Sequence, residues 1–288
     1  DYTTRIAPAA CGMILLLLPL LMRKQLGRVG VLATMFFILI SPSILYYSRS
    51  LRHDIFALTG TMLAVVCVFR YLDDRQSKWL YFLALGLAVG YASHELTLIT
   101  CYILAGALGL AIVHEYVHLW PLTVLVAIAY AALPLVSLPL AVLLVVIPVG
   151  LFAALRIAQA FGLDVAGRLS AGPATRAVAA ISGHEYGVML IIVIAVFVPL
   201  YTTLFNWLPG ISTAVIGGIT YWLSQHGVAR GSQPGYYYLI MLPLYEFLPL
   251  LLSFIGIIYF AVKRAVQRRQ VDGLPDTQKI VVRYFPFF

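Results

Sequence analysis

Charge is what this sequence has least of. Only 10% of its 288 residues are Asp, Glu, Lys or Arg, against roughly a quarter in soluble domains. With 62% hydrophobic residues and a mean hydropathy of +0.97, the chain could not cover an aqueous surface, so lipid must be the solvent for most of it. Cysteine is scarce as well. Cys11, Cys67 and Cys101 are widely spaced inside apolar runs, and neither a disulfide framework nor a metal motif follows from them. Gly-rich phosphate loops and Walker sequences are missing, as are heptad arrays, low-complexity tracts and any soluble domain. The net charge of +8 does not point to nucleic acid, because the basic residues sit in short loops between apolar runs. The chain opens on Asp1 with no charged n-region, short apolar core and cleavage site, so a preceding segment is expected.

What is present is a series of apolar runs separated by charges. A helix needs about 20 apolar residues to cross the hydrocarbon core. The gaps between charges place spans at 6–22, 30–47 and 55–71. Between Lys78 and His114 lie 35 residues with groups that carry charge near neutral pH only at His94 and Glu95. One helix of that length would reach about 52 Å, so two spans are expected, 79–93 and 97–113, with His94-Glu95 at their apex. From Tyr116 to Leu155 no charge occurs. Pro134 and Pro139 suggest a turn there, giving spans at 121–136 and 139–156, with one long kinked segment as the competing reading. Residues 157–187 read as a loop carrying Arg168, Arg176, His184 and Glu185. An eighth span follows at 188–206, then a Gly-rich stretch, 207–235. An interfacial helix is expected there at 211–224, with Tyr221 and Trp222 as belt aromatics. A ninth span covers 236–261. The expectation is an all-α polytopic bundle of about nine spans over 1–262, followed by a tail, 263–288, that resembles a short strand or the approach to another span.

Parity tests this count. With nine spans, fifteen of the nineteen basic residues fall on one side, and Arg5, Arg49, Arg52 and Arg230 fall on the other. The basic-rich side is then cytoplasmic and Asp1 extracytoplasmic. A multi-pass protein of the cell membrane is expected.

The charges on the extracytoplasmic side are few. Arg49, Arg52, His53 and Asp54 lie at one membrane boundary, and His94-Glu95 at a hairpin apex. Asn206, His226, Arg230 and Gln233 flank the Gly-rich stretch. Glu246 sits ten residues into the ninth span, about 15 Å along a straight helix. A carboxylate near the midplane is costly unless paired or protonated and is a functional candidate by default. Structural readings stand beside these. Arg49 and Arg52 could anchor a helix end by snorkelling, and Asp54 could be the N-cap of its helix. Glu95 could be a solvated turn residue, and Glu246 half of a buried ion pair. His114 and His118 have i,i+4 metal-ligand spacing, but a wet loop on the cytoplasmic side is the better reading. Arginines at a membrane surface suit a lipid-linked phosphate, carboxylates suit sugar hydroxyls or proton transfer, and Tyr46, Tyr47 and Tyr236–Tyr238 suit pyranose faces or lipid tails.

The segment Ser41-Pro42-Ser43-Ile44-Leu45-Tyr46-Tyr47-Ser48-Arg49-Ser50-Leu51-Arg52-His53-Asp54-Ile55 resembles a signature of multi-spanning GT-C glycosyltransferase relatives. The pattern is S-P-x-x-x-Y-x-S-R-x-x-R-N-D-I, with His53 in place of Asn. His94-Glu95 looks like a Lys-Glu apex with His for Lys. Further likeness lies in Asp1–Ala9, Tyr221-Trp222, Gln225-His226, Arg230–Tyr238 and Pro243-Leu244-Tyr245-Glu246. The group resembled is the flippase-activity-associated membrane protein family, distantly similar to the dolichyl-phosphate-mannose protein mannosyltransferases. The resemblance covers 1–110 and 188–262 most strongly. It implies sugar transfer from a polyprenyl phosphate at the extracytoplasmic face. Donor contacts would fall on Arg49, Arg52, His53, His94, Arg230, Gln233 and Tyr245, with Asp54, Glu95 and Glu246 shaping the site. It also implies one more span and an acidic Asp-Glu loop before Asp1, and further spans after Phe288. The usual catalytic carboxylates are therefore not expected among these residues.

Two other readings stay open. One is a non-catalytic membrane subunit scaffolding a larger complex, favoured by His53 and His94 at the two substituted positions. The other is a flippase or transporter component, which internal inverted repeats would support; none is seen. Partners expected are membrane lipids, a polyprenyl-phosphate sugar and other membrane subunits, with no nucleic acid. No cofactor is expected; a divalent cation stays open, although the sequence does not indicate one.

Overall fold

The computed structural model of the chain describes residues 2–117, 120–136, 172–217, 220–221, 224, 234, 236–245 and 247–266. All regular structure among them is helical, as lipid requires of an open chain, because a helix satisfies its backbone polar groups within one segment. The protein is an all-α polytopic bundle. It divides into two compact units, Asp1–Ile211 and Ser212–Phe288.

In the first unit, α1 (Tyr2–Leu17) runs through a 3-10 turn, Leu18–Met22, into α2 (Arg23–Ile40). The apolar stretch Thr3–Ile40 counts 38 residues, about 57 Å of helix and nearly twice a bilayer core. It is broken at Gly27, whose φ of 70° and ψ of 176° suit a residue without Cβ. The chain after this break packs back on α1 through both α2 and the next helix, α3 (Pro42–Arg49). The span expected at 30–47 is therefore two helices. Pro42 opens α3, and the Ser41 hydroxyl accepts from the Ile44 N–H at 3.4 Å. Ser as N-cap before Pro at N1 is a start signal, and it was hidden inside a continuous apolar run.

Helices α4 (Asp54–Asp74) and α5 (Ser77–Ser93) form the central pair. They match the third and fourth expected spans within a few residues. Their contact is glycine-lined. A Cβ on Gly60 would stand 2.5 Å from the Gly86 carbonyl oxygen, and one on Gly86 would stand 2.9 Å from the Gly60 carbonyl oxygen. Gly86 and Gly90 have the small-xxx-small spacing that lets membrane helices approach closely. Arg75 ends α4 in the left-handed region, φ 55°, with its N–H returning to the Tyr71 carbonyl.

The apex at His94-Glu95 joins α5 to α6 (Thr97–Val117), and α7 (Trp120–Val136) follows. Tyr102 and Tyr130 stack at 4.2 Å and exchange hydrogen bonds with each other's carbonyls, which fastens α6 to α7. The span expected at 139–156 lies outside the described residues. The expected loop 157–187 is in part helical. Residues Pro173–Ala179 form α8, which contains Arg176, and α9 (Gly183–Tyr201) begins five residues before the expected span. Ser182 and Glu185 make a capping box at its start, so His184 and Glu185 belong to its first turn. Helix α9 packs on α5 and buries none of its residues within the chain. Leu190 and Ile191 are 60% and 65% exposed, an apolar face suited to lipid. Three successive left-handed residues, Thr203, Leu204 and Phe205, turn the chain after it.

Gly210–Ser212 forms a helical turn that continues as a π turn, Thr213–Gly217, where a helix was expected from 211 to 224. In the second unit the ninth span is not one straight helix. Its parts, α10 (Tyr237–Tyr245) and α11 (Phe247–Val266), are bent by 96° between Leu239–Tyr245 and Phe247–Tyr259. Pro243 lies inside α10, and proline removes a helical hydrogen bond. The midplane depth assigned to Glu246 assumed a straight helix and does not follow. The tail beyond 266 lies outside the described residues.

Candidate functional site

The two ends of α4 carry most of the first unit's described ionic contacts. At its C-terminal end, expected on the cytoplasmic side, Arg70 reaches Asp73 at 3.6 Å and Asp74 at 3.3 Å. Lys24 reaches Asp73 at 2.9 Å, so the segment after α1 and the end of α4 lie together. The Trp79 indole N–H donates to Asp74 at 3.0 Å, with the Arg70 guanidinium 4.9 Å from the Trp79 ring centroid. Arg75 donates to the Pro173 carbonyl at 3.1 Å and Tyr71 to the Ala177 carbonyl at 3.2 Å. Ser77 donates to Glu185.

His114 and Glu115 belong to this network and not to a wet loop. They are 5% and 3% exposed. The Glu115 carboxylate accepts from the Ala174 and Thr175 N–H groups at 2.7 and 3.0 Å and from the Thr175 hydroxyl at 2.7 Å. A helix start leaves such N–H groups without intrahelical partners, and here a side chain from α6 satisfies them across 59 residues of sequence. His114 Nδ1 lies 3.0 Å from the Thr123 hydroxyl. His118 lies outside the described residues.

The opposite end is open. His53 precedes α4, and Asp54 is its first residue. Asp54 is not the N-cap. Its carboxylate accepts from Arg52 Nε at 2.8 Å, and this contact raises the Arg52 guanidinium further above its ordinary value. Arg52 also lies 5.4 Å from the Tyr47 ring centroid. The α5–α6 apex meets this corner. The rings of His53 and His94 are 4.8 Å apart, and Glu95 stands 3.4 Å from His94 Nδ1, which also accepts from the Leu96 N–H at 3.2 Å. The adjacent α5–α9 contact is aromatic. Tyr201 donates to the Tyr91 carbonyl at 3.1 Å, and the Phe197 ring lies 4.5 Å from that of Tyr201 and 5.9 Å from that of Tyr91.

Arg49 lines an open cleft of about 580 Å3 with Arg5, Leu45, Tyr46, Ser50 and Leu51. Two arginines on a mostly apolar cleft suit an anion attached to a lipid tail. Arg5 was not singled out by motif, although parity had placed it on the side of Arg49. Arg52, His53, Asp54, His94 and Glu95 are thus brought together at one corner. Tyr245 is in the second unit, 71% exposed. Arg230, Gln233 and Glu246 lie outside the described residues.

This open corner and the Arg49 cleft fall within the part of the chain that a known family shares. Residues 2–152, more than half the chain, match the family described as dolichyl-phosphate-mannose-protein mannosyltransferase. The chain belongs to that family. It is therefore a membrane glycosyltransferase-like protein of GT-C type. The match takes in α1 to α7 and includes both ends of α4. No curated protein and no solved structure matches the chain.

Proposed function

We propose that this mannosyltransferase-family protein binds a polyprenyl-phosphate-linked sugar at the extracytoplasmic face and serves transfer of that sugar to an acceptor. The observation that carries this reading is the pairing of Arg5 with Arg49 on one cleft, inside the segment shared with the family. A phosphate monoester or diester on a long apolar chain presents fixed negative charge at the headgroup level. Guanidinium groups at that level bind it through charge-assisted hydrogen bonds, and Leu45, Tyr46 and Leu51 offer apolar contact to the first isoprene units. Arg52, held by Asp54, lies three residues from Arg49 in the same signature and would add to the donor contacts. Asp54 and Glu95 are the described carboxylates at this end that suit sugar hydroxyls.

The test uses the full protein in proteoliposomes with a radiolabelled polyprenyl-phosphate sugar. Saturable donor binding and label transfer are expected. Arg5→Ala and Arg49→Ala should each weaken donor binding by about tenfold, the weight of one charge-assisted contact. Donor binding unchanged in the double variant would refute the assignment of the cleft.

A further inference from the structure

Two imidazoles and one carboxylate meet at the open corner, although 41 residues separate His53 from His94. Each of His53, Asp54 and His94 offers a ligand atom, and these atoms lie within 4.8 Å of one another. We propose that His53, Asp54 and His94 form a binding site for a first-row divalent cation of the Zn2+ class, tying the turn before α4 to the α5–α6 apex.

The chemistry favours such a cation. Imidazole suits Zn2+ and its neighbours, whereas Mg2+ and Ca2+ select oxygen donors. Three protein ligands with an open fourth position is a common Zn2+ arrangement, with bonds of about 2.0–2.2 Å. In a tetrahedron of that size neighbouring donors stand about 3.4 Å apart, so rotations moving each donor by about 1 Å close the site. His53 is exposed and Asp54 and His94 are half-buried, so the side chains have room to turn. The surroundings agree. Arg52 engages Oδ2 of Asp54, which leaves Oδ1 for a cation. Glu95 beside His94 Nδ1 is placed to accept from it. That contact would leave Nε2 as the metal ligand, the carboxylate–imidazole–metal relay that orients many such ligands. The Leu96 N–H now directed at Nδ1 would be displaced on metal binding. Asp54 and Glu95 bring two carboxylates to this corner.

The inference rests on the geometry of the first unit and stands whether or not the protein transfers a sugar. The experiment takes the full protein, purified in detergent and stripped with a chelator, and titrates it with Zn2+ by calorimetry at neutral pH. Co2+ absorption serves as a second readout. One saturable site per chain is expected. His53→Asn, Asp54→Asn and His94→Gln should each weaken it by tenfold or more, and Glu95→Gln by about tenfold. His184→Asn should leave it unchanged. Should His94→Gln not yield folded protein, His53→Asn decides, since its side chain is exposed. Absence of saturable Zn2+ binding by the folded wild type would overturn the proposal. So would Zn2+ affinity that is equal in wild type, His53→Asn and His94→Gln.

Discussion

The two ends of α4 use the same kinds of residue to opposite effect. At the C-terminal end every described carboxylate has a fixed cation, indole or amide partner. Asp73 is met by Lys24 and Arg70, Asp74 by Arg70 and Trp79, and Glu115 by the start of α8. At the N-terminal end Asp54 has one exposed arginine, and the rings of His53 and His94, from two different connections, lie 4.8 Å apart. Partnered polar groups lock helices together, because stranding any one of them is costly. Open polar groups near a membrane surface can take a ligand. The first end reads as scaffold and the second as site.

Substitutions can break this contrast, and the largest effect is expected where the scaffold is transmitted between the ends. Gly60→Leu would drive a side chain into the Gly86 backbone, since even a Cβ would stand 2.5 Å from its carbonyl oxygen. Overpacking against backbone should cost about 3 kcal/mol, seen as a lower unfolding temperature in detergent and loss of ligand binding together. Glu115→Ala should cost about 2 kcal/mol, because it strands one buried and one half-buried N–H group at the start of α8. Its effect should appear in stability, with ligand affinity at the other end kept in the folded fraction. Lys24→Ala should change stability by less than about 0.5 kcal/mol. Lys24 is 65% exposed on its side chain, and Asp73 keeps Arg70. A Lys24→Ala effect as large as that of Glu115→Ala would show that the scaffold end depends on its exposed rim.

The sequence was read well where charges punctuate apolar runs. The bounds of α4, α5 and α6 follow from Asp54, Asp73, Lys78, His94 and His114 within a few residues, because a charge is expelled from lipid. It was read poorly where breaks occur inside apolar or polar runs. The Ser41–Pro42 start of α3 carries no charge, and the single charge at the bend between α10 and α11, Glu246, reads as a mid-span residue. The Ser182–Glu185 capping box lay in a polar stretch, and its S-x-x-E spacing was the available signal. The site was legible in its residue types and not in its partnerships. The resemblance marked His53 and His94 as the two departures from its pattern, and only the fold shows that these two meet. Glu115 was missed because its partners are 59 and 60 residues away and no local pattern names them.

The contrast has a simple geometric requirement: the two ends of α4 must face opposite sides of the membrane, with the open one outside. Single cysteines at Leu51 and Gln76, both exposed, test it in a background where Cys11, Cys67 and Cys101 are replaced. In intact cells an impermeant maleimide should label Leu51→Cys and spare Gln76→Cys until the membrane is opened. Labelling of both from outside, or of Gln76→Cys alone, would contradict the account.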